Sequence, residues 1–176
     1  QPEQFPYKTP TGWEYDSGDY PAALEMVLDK AGYAELRAEQ ARRRADGSTE
    51  QLGIGIGAYV EITAGGPGGE FGSIELLPGG RMRVISGATP SGQGHDTTWA
   101  MLVSEYTGVA MDDIEVIHGD TDAVARGGLT VGSRSVQLAG SALVDAAGIL
   151  IEKARNRAAD QLEAALGDVV FDAEGG

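Results

Sequence analysis

Two stretches of this sequence combine bare backbone with side chains that can do chemistry. PSGQGHDTTW (90–99) sets Gly92 and Gly94 around Gln93, then continues with His95, Asp96, Thr97 and Thr98 just ahead of the apolar Trp99. GGLTVGSRS (127–135) closes in the same manner, with Thr130, Gly132, Ser133, Arg134 and Ser135. Each reads as a glycine loop that ends on a helix start. A helix N-terminus has free N–H groups and the positive end of a dipole, and both attract anions. Glycine lets a backbone amide approach an oxygen with no Cβ in between. The hydroxyls of Thr97, Thr98, Ser133 and Ser135 add donors, and Arg134 adds a planar cation suited to phosphate. Together these residues suit a phosphate or pyrophosphate group held between two helix ends. The same residues suit plain helix capping with no ligand at all. Residue types leave both readings open.

Other motif readings are weaker. Gly53, Gly55 and Gly57 alternate with isoleucine inside a strand-like run, so they are no dinucleotide fingerprint at a strand end. Gly127 and Gly132 have the spacing of a phosphate-binding P-loop, but Ser133 and Arg134 stand where its Lys and Ser/Thr belong, which rejects that reading. The two histidines are His95 and His118. With no cysteine in the chain, a protein-ligated zinc site is not expected. Asp120 and Asp122 follow His118 in HGDTD, a pattern that favours a turn held by Asx-type hydrogen bonds over a metal or an acid–base pair.

The elements that must position the two loops follow from periodicity. Residues 1–20 read as an extended arm anchored by Phe5, Tyr7, Trp13 and Tyr15. Asp16, Ser17 and Asp19 are helix starters, Pro21 suits a first turn, and Ala23, Leu24, Val27, Leu28 and Ala31 recur at helical spacing. Gly32 stops or kinks that helix, a second helix covers 34–45, and Gly47 caps it. Residues 52–65 (LGIGIGAYVEITAG) read as a strand with one face stripped of side chains. Residues 71–77 and 81–87 read as strands joined by an LPGG hairpin. Trp99, Leu102, Val103 and Tyr106 mark a helix over 96–107. A strand at 114–118 leads through the second loop to the longest helix, whose alanine-rich stripe runs Ala139, Ala142, Leu143, Ala146, Ala147, Leu150, Ile151, Ala154, Ala158 and Leu162. Gly167 would end it, and 169–173 would form a last strand. A strand, a glycine loop and a helix thus recur as a unit used twice.

Composition bounds the partners. The formal charge is −14 over 176 residues, so nucleic acid and anionic membranes are disfavoured, and any phosphate must be held by local geometry. No run of 18 apolar residues is present, so membrane insertion is not expected. The absence of cysteine excludes disulfides, thiolate metal sites and cysteine nucleophiles within these residues, and fits a cytoplasmic protein. The first residue is Gln1 and the chain ends FDAEGG, so a piece of a longer protein is expected.

A resemblance enters at these motifs. GATPSGQGHDTTWAMLVSEYTGV and DIEVIHGDTDAVARGGLTVGSRSVQLAGSAL resemble the molybdopterin-binding large subunit of the xanthine dehydrogenase and aldehyde oxidase family, in its bacterial carbon monoxide dehydrogenase type. FPYKTPTGWEYDSGDYPAAL and GIGIGAYVEI are similar to that subunit too, in the same order. The resemblance implies a molybdopterin dinucleotide cofactor, in bacteria usually of the cytosine form. It implies cofactor contacts from Gly92, Gln93, Gly94 and His95 on one side and from Thr130 to Ser135 on the other. The molybdenum would be held by the pterin dithiolene sulfurs rather than by protein ligands. Ser91 stands where the family often has His, and Asp96 replaces the more usual Glu; neither change removes a backbone amide. The family's substrate loop lies upstream of this region, and its catalytic glutamate, in a Gly-x-Gly-Glu context, lies downstream. Gly68-Gly69-Glu70 echoes that motif in the wrong place, and no catalytic role is assigned to Glu70.

The expected fold is therefore α+β, a mixed or mainly antiparallel sheet with three to four packed helices including one long C-terminal helix. The expected organisation is an arm over 1–20 and a cofactor-binding domain fragment over 21–176, with helices in 21–46, strands in 52–87 and cofactor loops and helices in 88–166. The residues expected to hold the cofactor are Gly92, Gln93, Gly94, His95, Thr97, Thr98, Thr130, Gly132, Ser133, Arg134 and Ser135. No catalytic residue and no protein metal ligand is expected here. The implied activity is oxidative hydroxylation of an aldehyde, N-heterocycle or CO with water as oxygen source, by a dimeric whole enzyme with iron–sulfur and FAD partners. The 176 residues alone are expected to be inactive. The alternative is a non-catalytic dinucleotide-binding or interface module.

Overall fold

The computed structural model describes residues 2–64 and 68–173. The chain divides into two compact units, residues 1–59 and 60–176.

In the first unit, two short strands, β1 (Tyr7–Lys8) and β2 (Glu14–Tyr15), pair antiparallel, with Tyr7 opposite Tyr15. Thr9 closes the turn between them: its backbone N–H donates to Trp13 O at 2.7 Å, and its Oγ1 accepts from Trp13 N at 3.0 Å. Phe5 and Tyr15 both pack edge-on against Tyr20, at centroid distances of 5.6 and 5.9 Å, and Tyr7 tilts against Tyr15, while Trp13 stays 47% exposed. Helix α1 (Tyr20–Lys30) starts on Asp19, whose carboxylate accepts from Ala22 N at 3.1 Å, and Pro21 occupies its first turn. Gly32 adopts a left-handed φ of 63°, which a β-carbon would resist, and breaks the chain between α1 and α2 (Tyr33–Ala45). Glu39 bridges Arg42 and Arg43 on the exposed face of α2. Gln40 is buried and donates to Leu52 O at 2.8 Å.

The strand expected over 52–65 is not formed. No described residue pairs with this run in a ladder, and residues 65–67 lie outside the described residues. Alternation of Gly with Ile imitates a strand pattern, but a strand exists only where a neighbour takes up its hydrogen bonds and side chains. Here Ile56 and Tyr59 remain 58% and 88% exposed.

The second unit holds the expected α+β core. Strands β3 (Gly72–Leu76) and β4 (Met82–Ser86) form the hairpin, with Ile74 opposite Val84. Strand β5 (Ile114–Ile117) pairs parallel to β4, with Met82 opposite Ile114, so the sheet is mixed and ordered β3-β4-β5. Helix α3 (His95–Thr107) crosses over between β4 and β5. A π-helical turn (Val136–Gly140) runs directly into the long helix α4 (Ser141–Leu162). Both helices pack with the sheet around Val84, Ala88, Trp99, Val103, Ala139 and Leu143, each at most 2% exposed. The alanines and Gly72 explain the close approach: a β-carbon added at Gly72 would lie 3.0 Å from the α4 backbone at Ala142 and Leu143. Among the described residues no helix is long and apolar enough to cross a membrane.

Three details differ from the sequence reading. The α4 stripe is not buried along its whole length: Ala154 is exposed and Leu162 is 70% exposed, while Ala159, outside the stripe, is buried. Past Leu150 the helix is met by the returning chain, which Arg155 ties down through Val169 O and Leu166 O. The helix ends at left-handed Glu163 (φ 52°), and Gly167 lies in a separate 3-10 turn (Leu166–Asp168). Residues 169–173 form no strand: among the described residues none pairs with them in a ladder, and Val170 stays 83% exposed.

Candidate cofactor site

The two strand–loop–helix units leave the sheet side by side. Ala88, just past β4, bridges to Gly128 in the second loop. Thr130 Oγ1 donates to Thr89 O at 2.7 Å, which ties the second loop to the root of the first. From this root the loops diverge and enclose a cavity of about 340 Å³ lined by Gln93, His95, Thr130, Val131, Ser133, Arg134, Ser135 and Val136. Six of these eight were expected from sequence. Val131 came only with the segment Thr130 to Ser135 that the resemblance implies, and Val136 was not expected, because nothing in its type separates it from a core residue.

The glycines shape the loops. Gly92 and Gly94 have φ of 103° and 79°, and Gly132 has φ of 60°. No protein atom lies within 4 Å of a β-carbon built at any of the three. Their conformation therefore calls for glycine, while the space in front of them is open.

Neither helix start carries a side-chain cap. Helix α3 begins on Gly94, which has no side chain to cap it, and the π turn leading into α4 begins on Ser135, which makes no side-chain cap bond. Thr98 Oγ1 donates backward to Gly94 O at 3.0 Å, and Asp96 lies 3.1 Å from His118 Nε2. Thr97 is exposed and, like Thr98, lies outside the cavity lining. The threonines and the aspartate thus leave the first-turn N–H groups of α3 without side-chain acceptors.

The remaining side chains are held in place. Gln93 Oε1 accepts from Ser91 N at 2.5 Å, which fixes the carboxamide at the cavity edge. His95 is buried and packs against Trp99, with ring centroids 5.1 Å apart. Its Nδ1 and Trp99 Nε1 are buried with no hydrogen-bond partner, an unsatisfied pair in a wall otherwise well bonded. Ser133, itself at a left-handed φ of 48°, donates to Glu61. Arg134 Nη2 lies 3.5 Å from Glu70 Oε2. Asp122 N donates to Asp120 Oδ1 at 2.8 Å, the Asx turn expected of HGDTD. Among the described residues no group of three His, Cys, Asp or Glu side chains clusters as a metal site.

From sequence, Glu61 reads only as part of a strand run, and Glu70 only as a misplaced echo of a Gly-x-Gly-Glu motif with no role. Glu70 is 8% exposed and reaches both Gly128 N and Arg134 across more than 50 residues of chain. The available signal was a lone acid between two glycines and an apolar strand, a place where burial demands a partner.

A family model for the molybdopterin cofactor-binding domain matches residues 26–176. The chain is 39% identical to the carbon monoxide dehydrogenase large chain of Afipia carboxidovorans over 99% of its own length and 23% of the relative's. It is 43% identical to that of Hydrogenophaga pseudoflava over 92% of its own length and 21% of the relative's. The fold superposes on quinoline 2-oxidoreductase from Pseudomonas putida 86 with a TM-score of 0.69 and 28% identity, covering 98% of this chain and 23% of that one. The chain therefore spans under a quarter of the length of the proteins it matches. Its cavity lies between the two loops that carry the resemblance, and the chain belongs to the molybdopterin cofactor-binding domain family.

Proposed function

We propose that the cavity between residues 92–95 and 130–136 receives the dinucleotide arm of a molybdopterin cofactor, in its cytosine form, within a molybdenum hydroxylase. The residues present suit such a group. Two helix starts without side-chain caps adjoin one cavity of about 340 Å³, and that convergence is the observation that carries the reading. The unpartnered Nδ1 of buried His95 adds a polar atom that awaits a partner.

Each residue has a task in this reading. The first-turn N–H groups of α3 donate to phosphate oxygens, where the helix dipole favours negative charge. Arg134 brings the one cation among the lining side chains, needed because the chain as a whole is at −14. Gln93, with its oxygen engaged by Ser91, has its amide NH₂ left to donate. Val131 and Val136 supply apolar wall to the cavity. When bound, the cofactor supplies a two-electron redox centre that hydroxylates substrate with oxygen from water. These residues bind and orient; no acid, base or nucleophile for the substrate is assigned among them.

The whole protein would then oxidise an aldehyde, N-heterocycle or CO, and pass electrons to iron–sulfur and FAD partners in a dimeric cytoplasmic enzyme. The matched proteins are named for substrates as unlike as carbon monoxide and quinoline, which supports the reading that residues outside these 176 choose the substrate. The 176 residues alone are read as lacking hydroxylase activity.

The test is the molybdenum and CMP content of the purified full-length subunit, alone and with Arg134→Ala or Gln93→Ala. Near-stoichiometric molybdenum and CMP in the parent, and a severalfold loss in the variants, is the expected result. A parent that carries neither would overturn the reading in favour of an interface module.

A further inference from the structure

We propose that Glu70 is a positioning residue of the cofactor site, a buried carboxylate that fixes the second loop against the sheet and aims Arg134 into the cavity. This rests on the cofactor reading given above, and extends it to a residue outside both loops.

Glu70 sits just ahead of β3, with its side chain only 3% exposed. Its Oε1 accepts from Phe71 N and from Gly128 N, both at 3.0 Å. Its Oε2 faces Arg134 Nη2 at 3.5 Å. One carboxylate thus joins the sheet, the root of the second loop and the cavity cation. The surrounding backbone is cleared for it. A β-carbon added at Gly87 would overlap Oε1, and one added at Gly128 would overlap Oε2. Neither glycine has a positive φ, so space rather than conformation demands glycine there.

The placement has a chemical consequence. A buried carboxylate must be paired and hydrogen-bonded, and an arginine facing an anion site must be held without being neutralised outright. Two backbone amides satisfy Oε1, and the longer 3.5 Å approach leaves Arg134 free to donate from its other nitrogens. Glu70 therefore acts through Arg134, and through Gly128 on the loop that carries it.

The experiment compares the full-length subunit with its Glu70→Gln, Arg134→Ala and double variants. Read for each are molybdenum per subunit, the rate of CMP-bearing cofactor release, and the melting temperature. Gln keeps the shape and can still accept from Phe71 N and Gly128 N, but it has no charge to hold Arg134. Glu70→Gln is expected to melt within a few degrees of the parent and to release cofactor at least tenfold faster. In the Arg134→Ala background the same change should add no further loss of cofactor. It should instead raise the melting temperature, because it removes a buried charge left without its partner. Glu70→Gln with parental release overturns the proposal, as do additive losses in the double variant, which would mean that Glu70 does not act through Arg134. A Glu70→Gln protein that fails to fold is answered by Glu70→Asp, whose shorter arm cannot reach Phe71, Gly128 and Arg134 together; parental release from it likewise overturns the proposal. A parent without molybdenum defeats the cofactor reading itself and is distinct from all of these.

Discussion

Gly94→Ala separates a loop that only turns the chain from one that lies against a ligand. Gly94 has φ of 79°, in the left-handed region, and begins α3. Alanine there costs about 1–2 kcal/mol of backbone strain. No further cost arises inside the protein, because no atom lies within 4 Å of the added carbon. The expected fall in melting temperature is thus a few degrees, given about 2–4 °C per kcal/mol for a domain of this size. Loss of cofactor beyond what that strain explains can come only from the ligand side, where the added methyl stands beside the N–H groups that would receive phosphate. The assay is molybdenum content and thermal melting measured on the same full-length preparation. Molybdenum reduced severalfold with a shift of a few degrees supports the site. A variant that melts much earlier yet retains full molybdenum would refute the reasoning, since the loop would then matter to the fold alone.

Three further outcomes follow from the packing and charges. Leu143→Ala should cost about 3–5 kcal/mol in denaturant unfolding, because Leu143 is wholly buried between the sheet and α3 and lies against Gly72. Asp19→Ala should cost about 1 kcal/mol, by removing the acceptor for Ala22 N at the start of α1, and amide exchange should rise there first. The hydrogen bonds from Arg43 and then Arg42 hold the Glu39 carboxyl below its usual range. That contribution to α2 is present at neutral pH and is lost as pH falls through the lowered value, so Glu39→Gln should flatten the acid side of a pH titration of α2 helicity.

Much of the fold was legible because its signals are local. Trp99, Leu102 and Val103 at helical spacing, the LPGG hairpin, Asp19 with Pro21, and Gly32 each act within a few residues, where backbone sterics and one or two hydrogen bonds decide the outcome. The two loops were legible for the same reason: glycine where φ is positive, then polar residues, then an apolar helix face. The order of motifs along the chain sufficed to indicate the family.

What needed the tertiary structure was everything that depends on a partner distant in sequence. Residues 52–65 have the alternation of a strand, yet among the described residues none pairs with the run in a ladder; residues 169–173 likewise join none. Whether Thr98 and Asp96 cap α3 could not be read from their types, because each has a competing partner, the Gly94 carbonyl in one case and His118 in the other. Glu70 shows the limit most clearly. Its sequence neighbours, two glycines and a phenylalanine, mark a lone acid that burial would force to pair, but not which residues it pairs with. Its burial, its bond to Gly128 and its approach to Arg134 exist only once the sheet has brought residues 70, 87, 128 and 134 to one point. Burial of charge is a property of the assembled core, so the residue that ties the site together is decided by packing and not by spacing.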